Sequence, residues 1–539
     1  MTLTAKKKEI NNMSSKFEQA LKNTFNDEVS VTENGAIGFK TSGSKLLDIN
    51  FAVSSLRNKS DGDIITMFSD AFYENPLLAV KWLFFLRDIR GGMGERRTFR
   101  VCFKWLASVR PELVKKLIPL CAEYGRFDDL FCLMSFTDND PVQNEVIKFI
   151  DDQWADDVKN MKEEKPISLL AKWMPSVSTS SSKTVALAKF FCKKLSLREK
   201  QYRQTLSAMR KYLNVIEQKM SAKEWHAINY EQVPSRANVK YNSAFLRNDE
   251  ARRREFLSKL EKGEAKINSS TNFPSDIVHA YSEKALNNYY YRQIAADPAF
   301  EAMWKALPDY VKNQDTGSTI CVCDSSSSMM CPVGGTRMTA MEVAYSLGIY
   351  FAEKLTGPFK DKTITFSHSP KYLDMSSAKT LAEKLNIMYS HSEVFDTNIE
   401  GVFDLLLETA VRNNLSQKDI PSNVLIISDM EMNYATGYGY YRYDTDKYNA
   451  SQIALFKIIE KKWSNAGFKL PRLVFWNVNS RTNAIPLQTS PSGVALVSGY
   501  SPAVAKMVFS AKLDPYEVLV DAINNLRYDA VEAAVKDLV

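Results

Sequence analysis

The sequence predicts a two-part α plus α/β protein, in which a helical region precedes a doubly wound, mostly parallel sheet. Helical periodicity dominates from Leu46 to about Tyr310, and after Thr316 short apolar strands alternate with helices. The charge balance also changes sign near that point. Alternation of strands and helices is typical of βαβ units. We therefore predict an N-terminal arm, a helical domain and an α/β domain at residues 1–45, 46–315 and 316–539.

Composition excludes several classes of protein. The chain has 539 residues, of which 45% are hydrophobic, so it has enough apolar surface for large cores and is neither disordered nor a disulfide scaffold. The 7 cysteines are scattered and odd in number, which favours a reduced cytoplasmic protein. No apolar run approaches the roughly 18–20 residues that span a bilayer, and the basic start lacks a hydrophobic core, so we expect no membrane segment and no secretory signal.

The helical region is predicted to hold many helices with short connections. Residues 77–86 are apolar on almost every side, which predicts a buried helix, and Pro111 is placed to open another. Further helices are predicted at about 143–160, 182–195, 198–217, 249–262, 274–288 and 297–311. This pattern favours a HEAT-like α-solenoid or an irregular bundle, although no clean sequence period is present.

The α/β region begins with the strand in STICVCD and continues with further short apolar strands. These are predicted at 362–368, 371–375, 424–427, 473–476 and within GVALVSGYS. Helices are predicted between them at 339–354, up to about 388, 399–411 and 452–464. Because ligands bind at the carboxyl ends of strands in such sheets, the residues that follow each strand are the candidate site.

Three predicted loops deliver oxygen atoms to that edge. Asp324 ends the first strand and opens a D-x-S-x-S segment that adds Ser326 and Ser328 on one tight loop. Asp429 ends a second strong strand, and residues 395–398 read Phe-Asp-Thr-Asn just before a helix. Hard oxygen ligands suit Mg²⁺ or, less strictly, Mn²⁺ or Ca²⁺. No His or Cys set with ligand spacing accompanies them, so zinc is not expected.

This pattern resembles the metal-ion-dependent adhesion site of von Willebrand factor A domains, where D-x-S-x-S, a Thr and an Asp occur on successive loops. The resemblance implies direct metal contact from both serines of the motif and from Thr397, with Asp324 and Asp429 acting largely through ordered waters. It also implies an open coordination position for an acidic group from a partner. Asp396 adds a carboxylate beside Thr397, and the sequence leaves open which of the two faces the metal.

The charge of the chain divides unevenly between its two parts. From Gly317 onward there are 21 Lys and Arg against 23 Asp and Glu, whereas the preceding residues hold 49 against 40. This asymmetry favours an anionic partner, nucleic acid first. The candidate contacts beside a glycine-rich turn are Arg90, Arg96, Arg97 and Arg100, and those in a predicted loop are Arg236, Lys240 and Tyr241. The alternative for the first group is a helix–helix turn whose arginines pair with Asp88, Glu95 or Asp128.

Several sequence blocks also resemble a large uncharacterised family that joins a helical domain to a von Willebrand A-like domain. They include RDIRGGMGERRTFR, EYGRFDDL, VPSRANVKYNSAF and LVSGYSPAVAK. The two-part architecture is similar to the Ro (TROVE) ribonucleoprotein, in which a ring of helical repeats binds small noncoding RNAs and single-stranded RNA ends. This resemblance implies RNA binding as a hypothesis, since fold does not fix function.

The predicted function is therefore non-enzymatic RNA binding in the cytoplasm, with no membrane partner. The alternative is a protein–protein adaptor in which an acidic side chain of the partner completes the metal coordination. A metal-dependent nuclease is less favoured, because a serine-lined site lacks the carboxylate-rich, two-metal arrangement of such enzymes. Two aromatic and basic segments, Tyr289–Arg292 and the Tyr-rich tract at 437–448, are further candidate contacts.

Overall fold

The structure is a computed structural model of the chain, and it describes residues 29–137, 140–286, 293–433 and 454–539. Three predictions lie outside these residues: the fold of the first 28 residues of the arm, the Tyr289–Arg292 set and the Tyr-rich tract at 437–448.

The N-terminal part is helical apart from one short hairpin. Strands β1 (Val29–Val31) and β2 (Ile37–Phe39) form this antiparallel hairpin, which the sequence analysis did not predict. The helices that follow are Lys45–Leu56, Asp61–Glu74, Pro76–Arg87, Arg97–Val109, Pro111–Leu117, Cys121–Tyr124, Pro141–Lys162, Leu170–Trp173, Ser182–Lys194, Glu199–Tyr212, Ile216–Ser221, Ser235–Asn248, Glu250–Glu261, Pro274–Leu286 and Pro298–Lys305. The prediction of a helical region is confirmed.

Local sequence explains where several of these helices begin and end. Proline is the first residue of the helices that start at 76, 111, 141, 274 and 298. Proline has no backbone N–H, and this costs nothing in the first turn because an N–H there has no partner within the helix. Ser60 and Asp63 form a reciprocal capping box at the start of the Asp61–Glu74 helix. The predicted helix at 198–217 is instead interrupted, with Asn214 in the left-handed region at φ 54°. The predicted loop at 234–241 is wrong, since a helix starts at Ser235.

The C-terminal part is built on a six-stranded sheet. Its strands are β3 (Thr319–Asp324), β4 (Lys362–Phe366), β5 (Lys371–Asp374), β6 (Asn423–Ser428), β7 (Arg472–Asn477) and β8 (Val494–Ser498). The strand order is β5-β4-β3-β6-β7-β8, and only β5 pairs antiparallel with its neighbour. A mostly parallel sheet after a helical region is therefore confirmed.

The strands of this sheet are connected and covered by helices. These helices are Ala340–Lys354, Leu381–Ser390, Ile399–Arg412, Leu455–Asn465, Ala505–Val508, Pro515–Ile523 and Asp529–Val535. Every residue of β3, β7 and β8 is buried, as expected for parallel strands covered on both faces. The carboxyl ends of β3 and β6 are neighbours, since Cys323 pairs with Ile427 just before the two strands end.

The two parts interlock at both ends of the chain. The Lys45–Leu56 helix packs on β8, and its Ser54 hydroxyl donates to Asn477 Oδ1 on β7 at 3.1 Å. In return, the C-terminal Asp529–Val535 helix packs on the Pro76–Arg87 helix, where Lys81 Nζ lies 2.6 Å from Glu532 Oε2. Neither part can therefore move without breaking buried contacts with the other.

Two further findings bear on the environment of the protein. Within the ranges that the structure describes, no helix combines the length and the apolar character needed to cross a bilayer. All seven cysteines are free thiols, and only Cys331 is exposed.

Candidate functional site

The oxygen edge lies where β3 and β6 end. We use this name for Asp324, Ser326, Ser328, Thr397 and Asp429. The loop after β3 is tied to the loop before the Ile399–Arg412 helix by the Ser327 amide, which donates to Phe395 O at 2.9 Å. The loop after β6 is tied to the same segment by the Asn433 amide, which donates to Thr397 O at 3.1 Å. Three loops that are distant in sequence thus converge at one edge of the sheet.

Two carboxylates of the oxygen edge are fully buried. Asp324 accepts hydrogen bonds from the Ser428 hydroxyl at 2.6 Å and from the Ser326 amide at 2.8 Å. Burial, and then the neighbouring charge of Asp429, raise the pKa of Asp324 to about 7. Burial also raises the pKa of Asp429 to about 6, against the opposing effect of Arg481. Burial therefore disfavours the ionised form of both carboxyl groups, and a cation bound beside them would favour it.

The remaining donors at this edge are hydroxyl groups. The Ser326 and Ser328 oxygens are 3.1 Å apart, and Thr397 is buried with its Oγ1 3.2 Å from the Asn34 amide nitrogen. The Asp396 carboxylate instead faces His368, with Oδ2 and Nδ1 3.5 Å apart. In the described part of the chain, no three His, Cys, Asp or Glu side chains group in a way that could hold a metal ion. A cation here would thus depend on the two carboxylates together with hydroxyl oxygens, a donor set that suits Mg²⁺.

Asn34, Glu431 and Arg481 also lie at this edge and were not singled out as site residues from the sequence. Glu431 is buried and accepts hydrogen bonds from the Glu33, Arg481 and Thr482 amides at 2.8, 2.7 and 2.9 Å. Arg481 Nη1 lies 3.4 Å from Asp429 Oδ2. Two sequence signals could have pointed to these residues: the Asn34-Gly35 dipeptide, which is typical of a turn, and the acidic Glu431 two residues after Asp429. Nothing in the sequence pointed to Arg481.

A second candidate region is a groove in the helical part, which we call the basic groove. Its volume is about 1000 Å³. Seven cationic side chains line it, namely Arg126, Lys172, Arg210, Lys211, Lys219, Arg236 and Lys240. Two carboxylates, Glu217 and Glu224, and two aromatic rings, Trp173 and Tyr241, also line it. Arg126 and Arg236 in addition pair with Asp128 and Asp276, which lie outside the lining. The predicted RNA contacts Arg236, Lys240 and Tyr241 therefore lie in one groove, along a helix rather than on a loop.

The four arginines predicted to contact RNA beside the glycine-rich turn lie in different places in the structure. The Arg96 side chain is largely exposed, and partial desolvation of its guanidinium, followed by the nearby charges of Arg126 and Arg100, lowers its pKa. Arg96 therefore lies close to the basic groove. Arg100 pairs with Asp128 and Asp129 at 2.9 and 2.7 Å.

The other two arginines of that group lie apart from the groove. Arg97 pairs with Asp61 at 2.5 Å and donates to Leu56 O. Arg90 is exposed beside the turn and does not line the groove. Asp88 and Glu95 pair with Arg527 and Arg57 instead. The turn itself is tightly packed, because a Cβ on Gly92 would lie 2.0 Å from Phe85 O.

The groove also contains Arg210 and Arg126, which were not predicted as RNA contacts from the sequence. Arg210 is anchored by hydrogen bonds to Ala171 O, Met174 O and the Ser176 hydroxyl at 2.7–2.8 Å. The Arg126 guanidinium lies 3.7 Å from the centre of the Trp173 ring. These contacts fix the positions of two cations and one ring, and leave exposed cations such as Lys211 and Lys240 facing solvent.

Comparison with known proteins agrees with the two-part architecture. A family described as a domain of unknown function, DUF7788, matches residues 318–529. A protein of Acanthamoeba polyphaga mimivirus, uncharacterised protein L728, is 27% identical over 532 residues, which cover 92% of this chain and 87% of that protein. A second domain of unknown function, DUF2828, matches residues 32–149 and 142–316. Since this match spans more than half of the sequence, the chain belongs to the DUF2828 family.

Proposed function

We propose that this protein binds single-stranded RNA in the basic groove without chemically altering it. The observation that carries the proposal is the composition of the groove, which is lined by seven cations, two carboxylates and two aromatic rings. The cations outnumber the carboxylates even when the partners of Arg126 and Arg236 are counted. Such a surface attracts a phosphate backbone, and aromatic side chains offer faces on which bases stack. Trp173 is half-buried beneath Arg126, so the two together can present a fixed platform to a base.

The Ro-like architecture expected from the sequence supports the same proposal. We infer that the helical part is HEAT-like and that the sheet part is von Willebrand A-like, with β5 as an antiparallel edge strand. By analogy with Ro, the ligand is a small noncoding RNA or a single-stranded RNA end, and this is an argument from architecture alone. The seven free thiols favour work in the reducing cytoplasm.

We further propose that the oxygen edge holds Mg²⁺, or Mn²⁺ or Ca²⁺ in its place. Ser326, Ser328 and Thr397 would contact the ion, while Asp324 and Asp429 would act largely through water. What supports this is the geometry of the edge, where two fully buried carboxyl groups lie beside hydroxyl oxygens. The ion would stabilise the ionised carboxylates and present a positive centre to an acidic group.

The RNA proposal is tested by titrating the full chain into a labelled single-stranded RNA while fluorescence anisotropy is measured. Affinity should fall by about 50-fold between 50 and 200 mM salt when about four phosphates are neutralised. The RNA should remain intact after prolonged incubation with Mg²⁺. Absence of binding at 50 mM salt would contradict the proposal, and Mg²⁺-dependent cleavage would identify a nuclease instead.

An adaptor function is the second candidate, and one observation favours it. Met330 and Phe395 are 51% and 64% exposed on the loops that form the oxygen edge. Apolar side chains around a metal could pack against a partner whose acidic group completes the coordination. In that case a pull-down from the native cell should lose its protein partner when Asp324 is changed to Ala, while RNA binding is unaffected.

A further inference from the structure

The β1–β2 hairpin lies across the oxygen edge. We call residues 29–39 the strap. Phe39 pairs with Ile485 through two backbone hydrogen bonds of 2.8 Å, and Gly38 packs so closely that a Cβ would lie 2.6 Å from Ile485 O. The turn of the strap reaches the loop after β6, where Thr32 Oγ1 donates to Met432 O at 2.6 Å. The strap is thus held at two points, one on the segment after β7 and one on the loop after β6.

Two side chains of the turn contact the edge itself. The Asn34 amide donates to Thr397 Oγ1 at 3.2 Å and to Glu431 O at 2.5 Å. Glu33 Oε2 lies 2.7 Å from Arg481 Nε, and Nη1 of the same guanidinium lies 3.4 Å from Asp429 Oδ2. Arg481 therefore bridges an acidic residue of the strap and a buried acidic residue of the edge.

A cation bound at the edge would act on this bridge. A divalent ion beside Asp324 and Asp429 would take over the neutralisation of Asp429 and would repel the guanidinium of Arg481. Arg481 also donates its backbone amide to Glu431, which in turn accepts from the Glu33 amide. A displaced Arg481 would thus weaken the contacts that hold the turn.

We propose that the strap is a cation-responsive latch: Arg481, held by Glu33, serves as the counter-ion of Asp429 when no metal is bound, and a divalent cation displaces Arg481 and loosens residues 32–36. The inference rests on the proposed cation site. By thermodynamic linkage, closure of the strap lowers the affinity for the cation by the same factor by which the bound cation lowers the equilibrium constant for strap closure. Loosening would uncover Thr397 and the edge around it.

The test measures hydrogen exchange of the full chain with and without saturating Mn²⁺. Exchange in residues 32–36 should rise about fivefold with Mn²⁺. The β4–β5 hairpin, which lies on the side of β3 away from β6, should not change and serves as an internal reference.

Two variants of the same ion pair should shift Mn²⁺ affinity in the same direction by different factors. Arg481→Gln should tighten Mn²⁺ binding by about tenfold because it removes a competing charge, and Glu33→Gln should tighten it by about threefold because it weakens the strap closure that opposes the cation. The matched controls are Arg412→Gln and Glu408→Gln, an exposed ion pair of 2.8 Å on the Ile399–Arg412 helix, which should leave affinity unchanged.

The outcomes separate the latch from the cation site. Mn²⁺ binding that leaves strap exchange unchanged, with no tightening in Arg481→Gln, would overturn the latch and leave the cation site in place. Absence of Mn²⁺ binding by the unaltered chain, measured by calorimetry, would overturn both.

Discussion

The oxygen edge and the basic groove differ in how they are built. The edge is formed by three loops of one sheet, and its two carboxylates are buried, with pKa values raised to about 7 and about 6. The groove is formed by side chains from several helices, and cations such as Lys211 and Lys240 are exposed. Buried charges act strongly on a single ion, whereas exposed charges act additively on a polymer and are screened by salt. The two regions should therefore respond very differently to substitution.

The largest effect is expected at the edge. Asp324→Asn should weaken Mn²⁺ binding by about 100-fold in calorimetry, since one of the two buried charges is lost. It should leave RNA affinity unchanged. The melting temperature without metal should not fall at pH 8, because the variant also removes repulsion between two buried carboxylates.

The control for this variant is Asp374→Asn, which removes an equal charge from an exposed position on β5. An equal loss of Mn²⁺ affinity in both variants would show that binding is not localised at the edge.

The next largest effect is expected in the groove. The double variant Lys211→Glu, Lys240→Glu should weaken single-stranded RNA binding by about 30-fold at 50 mM salt, and the deficit should shrink as salt rises. Lys200→Glu, Lys262→Glu is the matched control, since both lysines are exposed and neither lines the groove. If the control variant loses as much affinity, the interaction follows net charge and not the groove.

A smaller effect, of different character, is expected from the aromatic platform. Trp173→Ala should weaken RNA binding by about tenfold, because a stacked base contributes about 1–3 kcal/mol. This loss should be the same at 50 and 200 mM salt, since no charge is removed. Tyr73→Ala, at an exposed ring outside the groove, should not change affinity. A salt-dependent deficit in Trp173→Ala would instead indicate that the ring only positions Arg126.

The smallest effect is expected at a contact between the helical and sheet parts. His279 Nδ1 lies 2.9 Å from Glu342 Oε2, and this hydrogen bond raises the pKa of His279 above 6.5. The stabilisation is full below pH 6.5 and is lost as the pH rises through the raised pKa. His279→Gln should lower the free energy of unfolding by less than about 1 kcal/mol at pH 5.5, and by less still at pH 8.5.

Urea unfolding at the two pH values measures this difference. Glu342→Gln should remove the same pH dependence, although it also disturbs the cap at Thr339. A larger deficit for His279→Gln at pH 8.5 would contradict the assignment.

The fold was largely predictable because its signals are local. Continuous apolar runs such as residues 424–427 identify buried strands, and prolines mark helix starts. The failures occur where tertiary contacts decide. The strands of the strap are only three residues long and gain their hydrogen bonds from Ile485 and Met432, which no local pattern shows. The residues expected as a loop at 234–241 begin the helix Ser235–Asn248, which buries Ala237, Asn238 and Phe245 against neighbouring helices, and local propensity does not show this packing.

The candidate sites, like the fold, were predictable where local signals determine the structure and not where tertiary contacts do. The sequence by itself determined that Asp324 and Asp429 meet at the edge, since the parallel strands that they follow must end on one side of a sheet. The structure decided between Asp396, which lies beside His368, and Thr397. Only the tertiary structure decided that Arg481 and Glu33 lie at that edge. It also decided that Arg236 and Arg126 line the basic groove together, whereas Arg97 pairs with Asp61 outside it. The physical reason is that strand ends are fixed by chain direction and hydrogen-bond register, whereas the side chains that meet between helices depend on packing over long sequence distances.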